Sequence, residues 1–397
     1  MFLKRFLTGL SLGLLVVIGL ALYQQVLFSQ SALRPNPPLT TSPTKATPVL
    51  SAQTQALIAS HPELVNPPRQ DIRLVVISDL NSAYGSTDYE PEVDQGMTLL
   101  PFWQPDLVVC SGDMVAGQNP ALSRDRIDAM WQAFDDHITA PLRQQKIPYG
   151  FTLGNHDASG ALGVRGQYLF SQERDRAAAY WNHPTHNPGL NFIDRSQFPF
   201  YYTFTYGGVF FMAWDGSSSR ISDQQLTWID RALGSSAAQT AKARIVISHL
   251  PLYAVAVGRD EPGEVLENSA RLQAMLEHHH VHTVISGHHH AYYPAHKGKL
   301  QLLHTGILGA GPRPLIDSKL PTRKTITVVD IDFNSADLTT YTTYDMASLK
   351  IIANQELPRL LAGHNGMLLR RDVTYGSLRP EEKNFCQQRL GKALCTA

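Results

Sequence analysis

Five short polar blocks in this chain carry the residue types that bind metal ions and transfer protons. In chain order they are Asp79, Gly112-Asp113, Gly154-Asn155-His156-Asp157, His249 and Gly287-His288-His289-His290. Their donors are carboxylate and amide oxygens and imidazole nitrogens, with no thiolate. Such donors suit Mn, Fe or Zn, and the donor side chains are too numerous for one ion. The blocks therefore predict two divalent or trivalent metal ions (Mn, Fe or Zn), the usual arrangement for in-line displacement at phosphorus.

Each block directly follows an apolar, β-branched run that predicts a buried strand. The five runs cover residues 72–78, 106–111, 147–153, 244–248 and 282–286. Open α/β sheets bind their ligands outside the carboxyl ends of the strands. Because all five blocks occupy that position, we expect them to meet in space.

Helices between these runs would carry the chain from one strand to the next. The predicted helices cover residues 91–103, 123–145, 222–233 and 270–279. The Gly207-Gly208 pair between two apolar runs predicts a β-hairpin turn. Residues 158–196 have weak periodicity and several glycines and prolines, so we interpret them as a lid that shapes the substrate site.

The charge balance bears on the partners that the protein could bind. Acidic and basic residues number 34 each, which gives a formal net charge of zero. No basic excess marks a surface for polyanions, so no nucleic-acid partner is expected.

The N-terminus has the pattern of a membrane-insertion signal. Lys4 and Arg5 precede residues 6–33, which contain no charged residue. The pattern predicts a membrane anchor or signal peptide over residues 1–28, and we favour an uncleaved signal anchor, a transmembrane helix. The rest of the chain would then be extracytoplasmic, either periplasmic or lumenal, and it would be secreted if the segment were cleaved.

Composition divides the remainder of the chain into three parts. Residues 29–68 form a Pro/Ser/Thr-rich linker, residues 69–345 hold all five polar blocks, and residues 346–397 form a C-terminal extension. Cys386 and Cys395 lie in that extension. In an exported protein they could form a disulfide that closes the tail.

Taken in order, the five blocks resemble the motifs of the calcineurin-like metallophosphoesterases. The sequences at residues 222–233 and 246–253 are most similar to the purple-acid-phosphatase-like branch. The resemblance covers about residues 72–333 and would make residues 69–345 the metallophosphoesterase domain. It implies an α/β fold in which a two-sheet β-sandwich is flanked by helices.

The resemblance also implies a role for each residue of the blocks. One metal would be held by Asp79, Asp113 and His290, and the other by Asp113, Asn155, His249 and His288. The shared Asp113 would bridge the two ions. His156 would assist the leaving group rather than bind metal, and Asp157 could orient His156.

The chain departs from the family pattern in the first block. Most members have a histidine two residues after the first aspartate, whereas this chain has Asn81, a weaker ligand. The tyrosinate ligand of the purple branch is also absent, and Tyr84 is the nearest substitute. Arg165, in the predicted lid, is a candidate for binding the substrate phosphate.

These residues predict a dinuclear metal phosphoesterase, a hydrolase that acts on a small phosphate ester. It would hydrolyse a phosphomonoester or a phosphodiester by attack of a metal-bridging hydroxide, with His156 assisting the leaving group. The alternative is a non-enzymatic binding or scaffold member of the same fold, in which the first metal site has degraded at Asn81. The sequence leaves the substrate and the oligomeric state open.

Overall fold

The structure, a computed structural model, describes residues 49–395. Its strands in chain order are β1 (Ile72–Ile77), β2 (Leu107–Cys110), β3 (Tyr149–Phe151), β4 (Asn191–Gln197), β5 (Tyr201–Tyr206), β6 (Val209–Ala213), β7 (Ala243–Ile247), β8 (Thr283–Ser286), β9 (Tyr292–Lys297), β10 (Leu300–Thr305), β11 (Thr325–Ile331), β12 (Thr339–Asp345), β13 (Lys350–Ile351), β14 (Leu360–Gly363) and β15 (Gly366–Arg370). The five runs that precede the polar blocks form β1, β2, β3, β7 and β8, as predicted.

The strands divide between two sheets. The first has the order β13-β12-β11-β1-β2-β3, and the second has the order β14-β15-β9-β10-β8-β7-β6-β5-β4. Strands β1 to β3 run parallel in the first sheet, and β6, β7, β8 and β10 run parallel in the second. One hydrophobic core contains buried residues of both sheets. The predicted two-sheet α/β fold is confirmed, and the parallel strands bring their carboxyl ends together within each sheet.

Helices cover the sheets. They are α1 (Ala52–Ser60), α2 (Pro91–Trp103), α3 (Arg124–Phe134), α4 (Ala140–Gln144), α5 (Asn155–Ala158), α6 (Ser171–Asn182), α7 (Asp223–Leu233), α8 (Ser236–Gln239), α9 (Ser269–His278) and α10 (Pro380–Leu390). Serine side chains cap several of them; the Ser222 hydroxyl accepts a hydrogen bond from the backbone N–H of Gln225 at 3.2 Å before α7. A π-helical turn over Asp135–Thr139 joins α3 to α4, so the predicted helix over residues 123–145 is continuous but not regular.

The segment predicted as a lid differs from that expectation over most of its length. It contains helix α6 and edge strand β4, and the stretches before and after α6, residues 159–170 and 183–190, contain no α-helix or long strand. Trp181 of α6 stacks on Phe151 of β3 with ring centroids 3.9 Å apart, so the helix covers the first sheet. The helix pattern is obscured in the sequence because α6 also buries two charged residues, Glu173 and Arg174.

Residues on both sides of the predicted catalytic domain pack against it. Arg73 of β1 forms a buried bidentate ion pair with Asp330 of β11 and also donates hydrogen bonds to Asn66 and Pro67. These bonds hold the end of the predicted linker on the domain. Beyond residue 345, β14 and β15 extend the second sheet beside β9.

The C-terminal helix α10 completes the described chain. A disulfide joins Cys386 to Cys395 and closes the tail, as the sequence allowed. Within residues 49–395, no helix has both the length and the apolar character that a membrane crossing needs. The predicted anchor over residues 1–28 lies outside the described residues and stays a prediction.

A buried histidine on β10 is expected to make the protein sensitive to acid. His304 is fully buried, neither ring nitrogen has a hydrogen-bond partner within residues 49–395, and burial lowers its pKa from 6.5 to about 3. The unfolded chain therefore takes up a proton as the pH falls below about 6.5, whereas the folded chain does not. At about pH 4.5 this difference should lower the free energy of unfolding by about 2 to 3 kcal/mol relative to neutral pH.

Urea unfolding of the wild type and of His304→Leu at both pH values tests this effect. The substitution replaces the imidazole with an apolar side chain that cannot take up a proton. We expect the midpoint of the variant to fall less than that of the wild type on acidification. Equal falls in the two proteins would show that His304 is not the titrating group.

Candidate metal centre

Four residues of the polar blocks have an unusual backbone conformation. Asp79, Asp113, His288 and His290 have φ angles of 50°, 56°, 64° and 54°, in the left-handed region that residues other than glycine rarely adopt. Such conformations persist where the surrounding structure enforces them, and they cluster at functional sites. Here the first two loops bond to each other, since the N–H of Asp79 donates to Gly112 O at 2.9 Å.

Two glycines allow the ligand-type side chains to approach the backbone. A Cβ atom on Gly154 would lie 2.1 Å from Asp113 Oδ1, and one on Gly287 would lie 2.5 Å from Asp79 Oδ2. Both distances are far below van der Waals contact. Any larger residue would therefore displace a carboxylate of the site, which explains why the blocks contain glycine at these positions.

The predicted ligands converge at the strand ends of both sheets. Ligand atoms of Asp79, Asp113 and His249 all lie within 4.8 Å of one another, and all three residues are buried. His249 Nε2 lies 3.3 Å from Asp113 Oδ2 and 2.8 Å from Asn155 Oδ1. The structure thus joins residues from the first sheet with a residue from the second.

The two histidines of the last block complete the cluster. His288 Nδ1 lies 3.0 Å from Asn155 Oδ1, and His290 Nε2 lies 3.3 Å from Asp79 Oδ1. The contacts therefore form two groups. The side chains of Asp79 and His290 are in one group, and those of Asn155, His249 and His288 are in the other, although the backbone N–H of His288 also donates to Asp79 at 3.2 Å. The assignment of each residue to a metal ion stays a prediction.

Hydrogen bonds at the rear of each ring fix which nitrogen faces the cluster. His249 and His290 each direct Nδ1 to a backbone carbonyl, Ser111 O at 2.8 Å and Gly311 O at 2.9 Å. We assign the proton to Nδ1 in both, because a carbonyl only accepts. Nε2 of each ring is then the atom that can bind a metal ion, once any proton on it is displaced.

The His288 ring has the opposite orientation, with Nδ1 toward the cluster. Glu264, which the sequence did not indicate, sets this orientation. His288 Nε2 lies 2.8 Å from Glu264 Oε2, which leaves Nδ1 facing Asn155. The same carboxylate forms an ion pair with Arg259. The backbone of Glu264 is fixed as well, since its carbonyl accepts a hydrogen bond from Nε2 of the buried His289 at 2.9 Å. Glu264 therefore sets the orientation of His288.

Glu264→Gln is expected to weaken metal binding without removing any predicted ligand. The amide keeps the shape of the side chain but loses the charge that holds the Nε2 proton of His288. Changes of this kind next to a ligand typically reduce metal affinity about 10- to 100-fold. Competition with a fluorescent chelator measures that affinity, and the exposed Glu267→Gln serves as the control. Equal affinities for the wild type and Glu264→Gln would contradict the assigned role.

Asp113 and His249 each shift the pKa of the other. Burial alone would lower the pKa of His249, but the Asp113 carboxylate outweighs burial and raises that pKa to about 9. Burial alone would raise the pKa of Asp113, but His249 and His156 lower it below its ordinary value. Buried carboxylates beside imidazoles with oriented lone pairs fit a divalent cation, which would displace the proton on binding. The donor set therefore fits the predicted metals.

His156 lies at the rim of this cluster, and its ring does not form the short contacts that join the proposed ligands. Its ring donates from Nδ1 to Gly117 O at 3.0 Å, and its Nε2 lies 4.0 Å from Asp113 Oδ2. Its backbone N–H donates to Asp113 Oδ1 at 2.8 Å. Tyr84 packs against the His156 ring, with centroids 5.2 Å apart. The imidazole is therefore held with Nε2 near the cluster.

Asp157 does not orient His156 in the way that the sequence suggested. Its carboxylate is buried and accepts backbone N–H bonds from Met114, Val115 and Gly154 at 2.7, 2.9 and 2.8 Å. Burial and the Asp113 charge raise its pKa to about 7, although the N–H donors oppose that rise. Asp157 instead joins the loop after β2 to the turn at Gly154, and so positions Asp113 indirectly.

The two remaining predicted site residues have few contacts. Asn81 is buried, and its backbone carbonyl accepts a hydrogen bond from Ala310 at 3.0 Å. Across residues 49–395 its side-chain amide forms no hydrogen bond. Arg165 is exposed in the turn between Leu162 and Tyr168, and within the described chain it forms no hydrogen bond or ion pair. Their roles as ligand and substrate-binding residue stay predictions.

Solved structures with a similar fold include phosphatases. The purple acid phosphatase PPD1 from yellow lupin (Lupinus luteus) matches with a TM-score of 0.50 and 17% identity, covering 72% of this chain. The match covers 54% of the lupin chain, so the present chain spans about half of its length. A dimetal phosphatase from Danio rerio matches with a TM-score of 0.44 and 15% identity, over 66% of this chain and 93% of that one.

Comparison by sequence gives the family directly. No curated protein matches the chain. The family described as calcineurin-like phosphoesterase matches residues 72–292, which is more than half of the 397 residues. That match includes all five polar blocks. The chain therefore belongs to the calcineurin-like phosphoesterase family.

Proposed function

We propose that this protein is a dinuclear metal phosphoesterase that hydrolyses a small phosphate ester. The observation that carries the proposal is the buried cluster of Asp79, Asp113 and His249, whose ligand atoms lie within 4.8 Å of one another. Burying two carboxylates without a cation would be costly, whereas a metal site gives them a partner. Membership of the family supports the same reaction class.

The proposed ligands are those that the resemblance implied. Asp79, Asp113 and His290 would hold one ion, and Asp113, Asn155, His249 and His288 would hold the other. The division of the contacts into two groups supports this assignment. When bound, the ions would polarise the phosphate oxygens and lower the pKa of the attacking water.

His156 is the proposed acid for the departing oxygen. Its Nδ1–H is occupied by Gly117 O at 3.0 Å, so Nε2 is the atom that can deliver a proton. Its side chain is 14% exposed, which leaves the ring accessible from the rim of the cluster. Its backbone bond to Asp113 fixes it relative to the metal ligands. Asp157 acts in this scheme as a positioning residue.

The competing function is a binding protein that has kept the fold but not the catalysis. Asn81 is the observation that favours it, because an amide is a weaker ligand than the imidazole most family members have there. A binding protein, however, has no use for an accessible acid. The position of His156 beside the cluster therefore favours the enzyme.

The environment proposed for the catalytic domain is extracytoplasmic. The Cys386–Cys395 disulfide supports it, because disulfides persist in oxidising compartments. The apolar segment in residues 1–28 supports attachment to a membrane, with the catalytic domain in the periplasm or a lumen. Cleavage of that segment would instead release a secreted enzyme.

Hydrolysis of para-nitrophenyl phosphate and of its diester, bis(para-nitrophenyl) phosphate, tests the reaction. The protein is first treated with a chelator, and then Mn, Fe or Zn is added back. We expect turnover to stop on chelation and to return with at least one ion, and the faster ester distinguishes a monoesterase from a diesterase. Metal binding without turnover of either ester would instead support the binding protein.

A further inference from the structure

Two arginines stand at the same end of a short paired segment beside the metal centre. Residues 255–257 and 314–316 pair antiparallel, with Val257 N donating to Pro314 O at 3.0 Å. Arg259 follows the first strand of this pair, and Arg313 precedes the second. Because the pairing is antiparallel, both arginines emerge at one end.

Each arginine lies beside a different histidine of the last block. The backbone N–H of Arg313 donates to His290 O at 3.0 Å. Arg259 Nη1 lies 3.4 Å from His288 Nε2, and both groups pair with the same Glu264 carboxylate oxygen. The Arg313 backbone and the Arg259 side chain are thereby placed next to the proposed ligands, whereas Arg165 has no such connection.

The Arg313 guanidinium also lies against the backbone next to Arg259. A Cβ atom on Gly258, the residue before Arg259, would lie only 2.9 Å from Arg313 Nη1. The Arg313 guanidinium therefore rests on the Gly258 backbone, whose φ of 75° suits glycine. A larger side chain at this position would displace the Arg313 guanidinium.

The pair has more positive charge than its surroundings neutralise. Glu264 forms an ion pair with Arg259, but within residues 49–395 no side chain forms an ion pair or hydrogen bond with the Arg313 guanidinium. The Nε atoms of both arginines are buried and have no hydrogen-bond partner in the described chain. Burial and the charge of Arg259 lower the pKa of Arg313 from its ordinary value. Unused donors and excess charge are what an anion needs for binding.

We propose that Arg313, together with Arg259, binds a second anionic group of the substrate. The substrate class is then a phosphate ester whose alcohol carries a carboxylate or another phosphate. This inference rests on the proposed function, because it assumes that the ester phosphate lies at the metal centre. Arginine suits the role because its planar fork pairs with two oxygens of a carboxylate or phosphate.

Matched esters test the proposal with the full-length, metal-loaded protein. Phosphoglycerate and glycerol phosphate share a primary phosphate ester and differ in one carboxylate; fructose bisphosphate and fructose monophosphate differ in one phosphate. Phosphate release gives kcat/KM for each. We expect a preference of about tenfold or more for the member of at least one pair that has two anionic groups, and the pair that shows it identifies the second anion.

Arg313→Gln should remove that preference by about tenfold, and Arg313→Lys should retain part of it. Arg313 is the primary variant because Arg259 also pairs with Glu264. Arg271→Gln, on the exposed face of α9, is the matched control and should keep both the preference and the activity. Equal kcat/KM for both members of each pair in the wild type, with turnover intact, would overturn the inference and leave the proposed function standing.

A thermal shift on the same ligands separates the two proposals, because it requires no turnover. We expect phosphoglycerate or fructose bisphosphate to raise the Tm more than its matched ester with a single anionic group, and Arg313→Gln to abolish the difference. If neither these esters nor the two para-nitrophenyl esters are hydrolysed but this arginine-dependent difference is present, the anion site is supported and the phosphoesterase function is contradicted. If neither variant nor wild type distinguishes the ligands, the anion site is contradicted.

Discussion

Replacing Asp113 with asparagine is expected to reduce phosphate release by at least about 10²- to 10³-fold, the scale of removing one preorganised electrostatic group. Asp113 is the residue common to both proposed metal sites. It lies 3.3 Å from His249 Nε2 and accepts the backbone N–H of His156 at 2.8 Å. The amide keeps the size of the side chain but removes its charge. Bound metal should therefore fall together with activity.

Metal content and turnover measured on one preparation of Asp113→Asn test this expectation. The exposed Asp125→Asn, in the first turn of α3, is a control of the same chemical change outside the centre. Circular dichroism shows whether both variants are folded. A folded Asp113→Asn protein with the metal content and rate of the wild type would contradict the bridging role.

Replacing His156 with glutamine is expected to lower turnover by about 10²- to 10⁴-fold while leaving the metal content unchanged. The ring bonds to Gly117 O rather than to a ligand, and its Nε2 stands 4.0 Å from Asp113 Oδ2. Loss of a general acid lowers the rate most when the departing oxygen is strongly basic. The decrease should therefore be larger for phenyl phosphate than for para-nitrophenyl phosphate.

The leaving-group comparison separates catalysis by His156 from a structural effect. A merely structural change would slow both esters by the same factor. The exposed His278→Gln is the matched control and should leave both rates unchanged. Loss of metal in His156→Gln, or an equal decrease with both esters, would show that His156 does not protonate the leaving group.

The sequence predicted that the proposed ligands lie close together, and the reason lies in the strands. Asp79, Asp113 and Asn155 follow three parallel strands of one sheet, and His249 and His288 follow two of the other. The carboxyl ends of parallel strands lie at one edge of a sheet, so residues that directly follow such strands lie near one another. The order of the blocks then gave the family, which the family comparison confirmed.

Residues on irregular loops could not be placed in the same way. Glu264 lies in a loop without periodicity, 24 positions before His288, and only the folded chain brings the two together. Arg313 was missed for the same reason. Asp157 was assigned to His156 because the two are adjacent, but neighbouring side chains in a helical turn point in different directions. Its carboxylate turns instead to Met114 and Gly154.

The sequence missed helix α6 and strands β14 and β15, because contacts with distant residues bury them. Glu173 is buried because it accepts backbone bonds from Gln118 and Asn119, and Arg174 because it pairs with Asp215. Both interrupt the apolar pattern of α6. Strands β14 and β15 are short and lie beyond the region that the resemblance covered, so neither pattern nor motif indicated their place beside β9.

The most direct test of the central claim is a titration of metal into the chelated protein, with metal content and para-nitrophenyl phosphate hydrolysis measured on the same samples. We expect activity to rise with bound metal and to level off at about two ions per chain, as a dinuclear centre requires. Stable binding of two ions with no hydrolysis at any point, or hydrolysis that persists with no metal bound, would contradict the assignment of this chain as a dinuclear phosphoesterase.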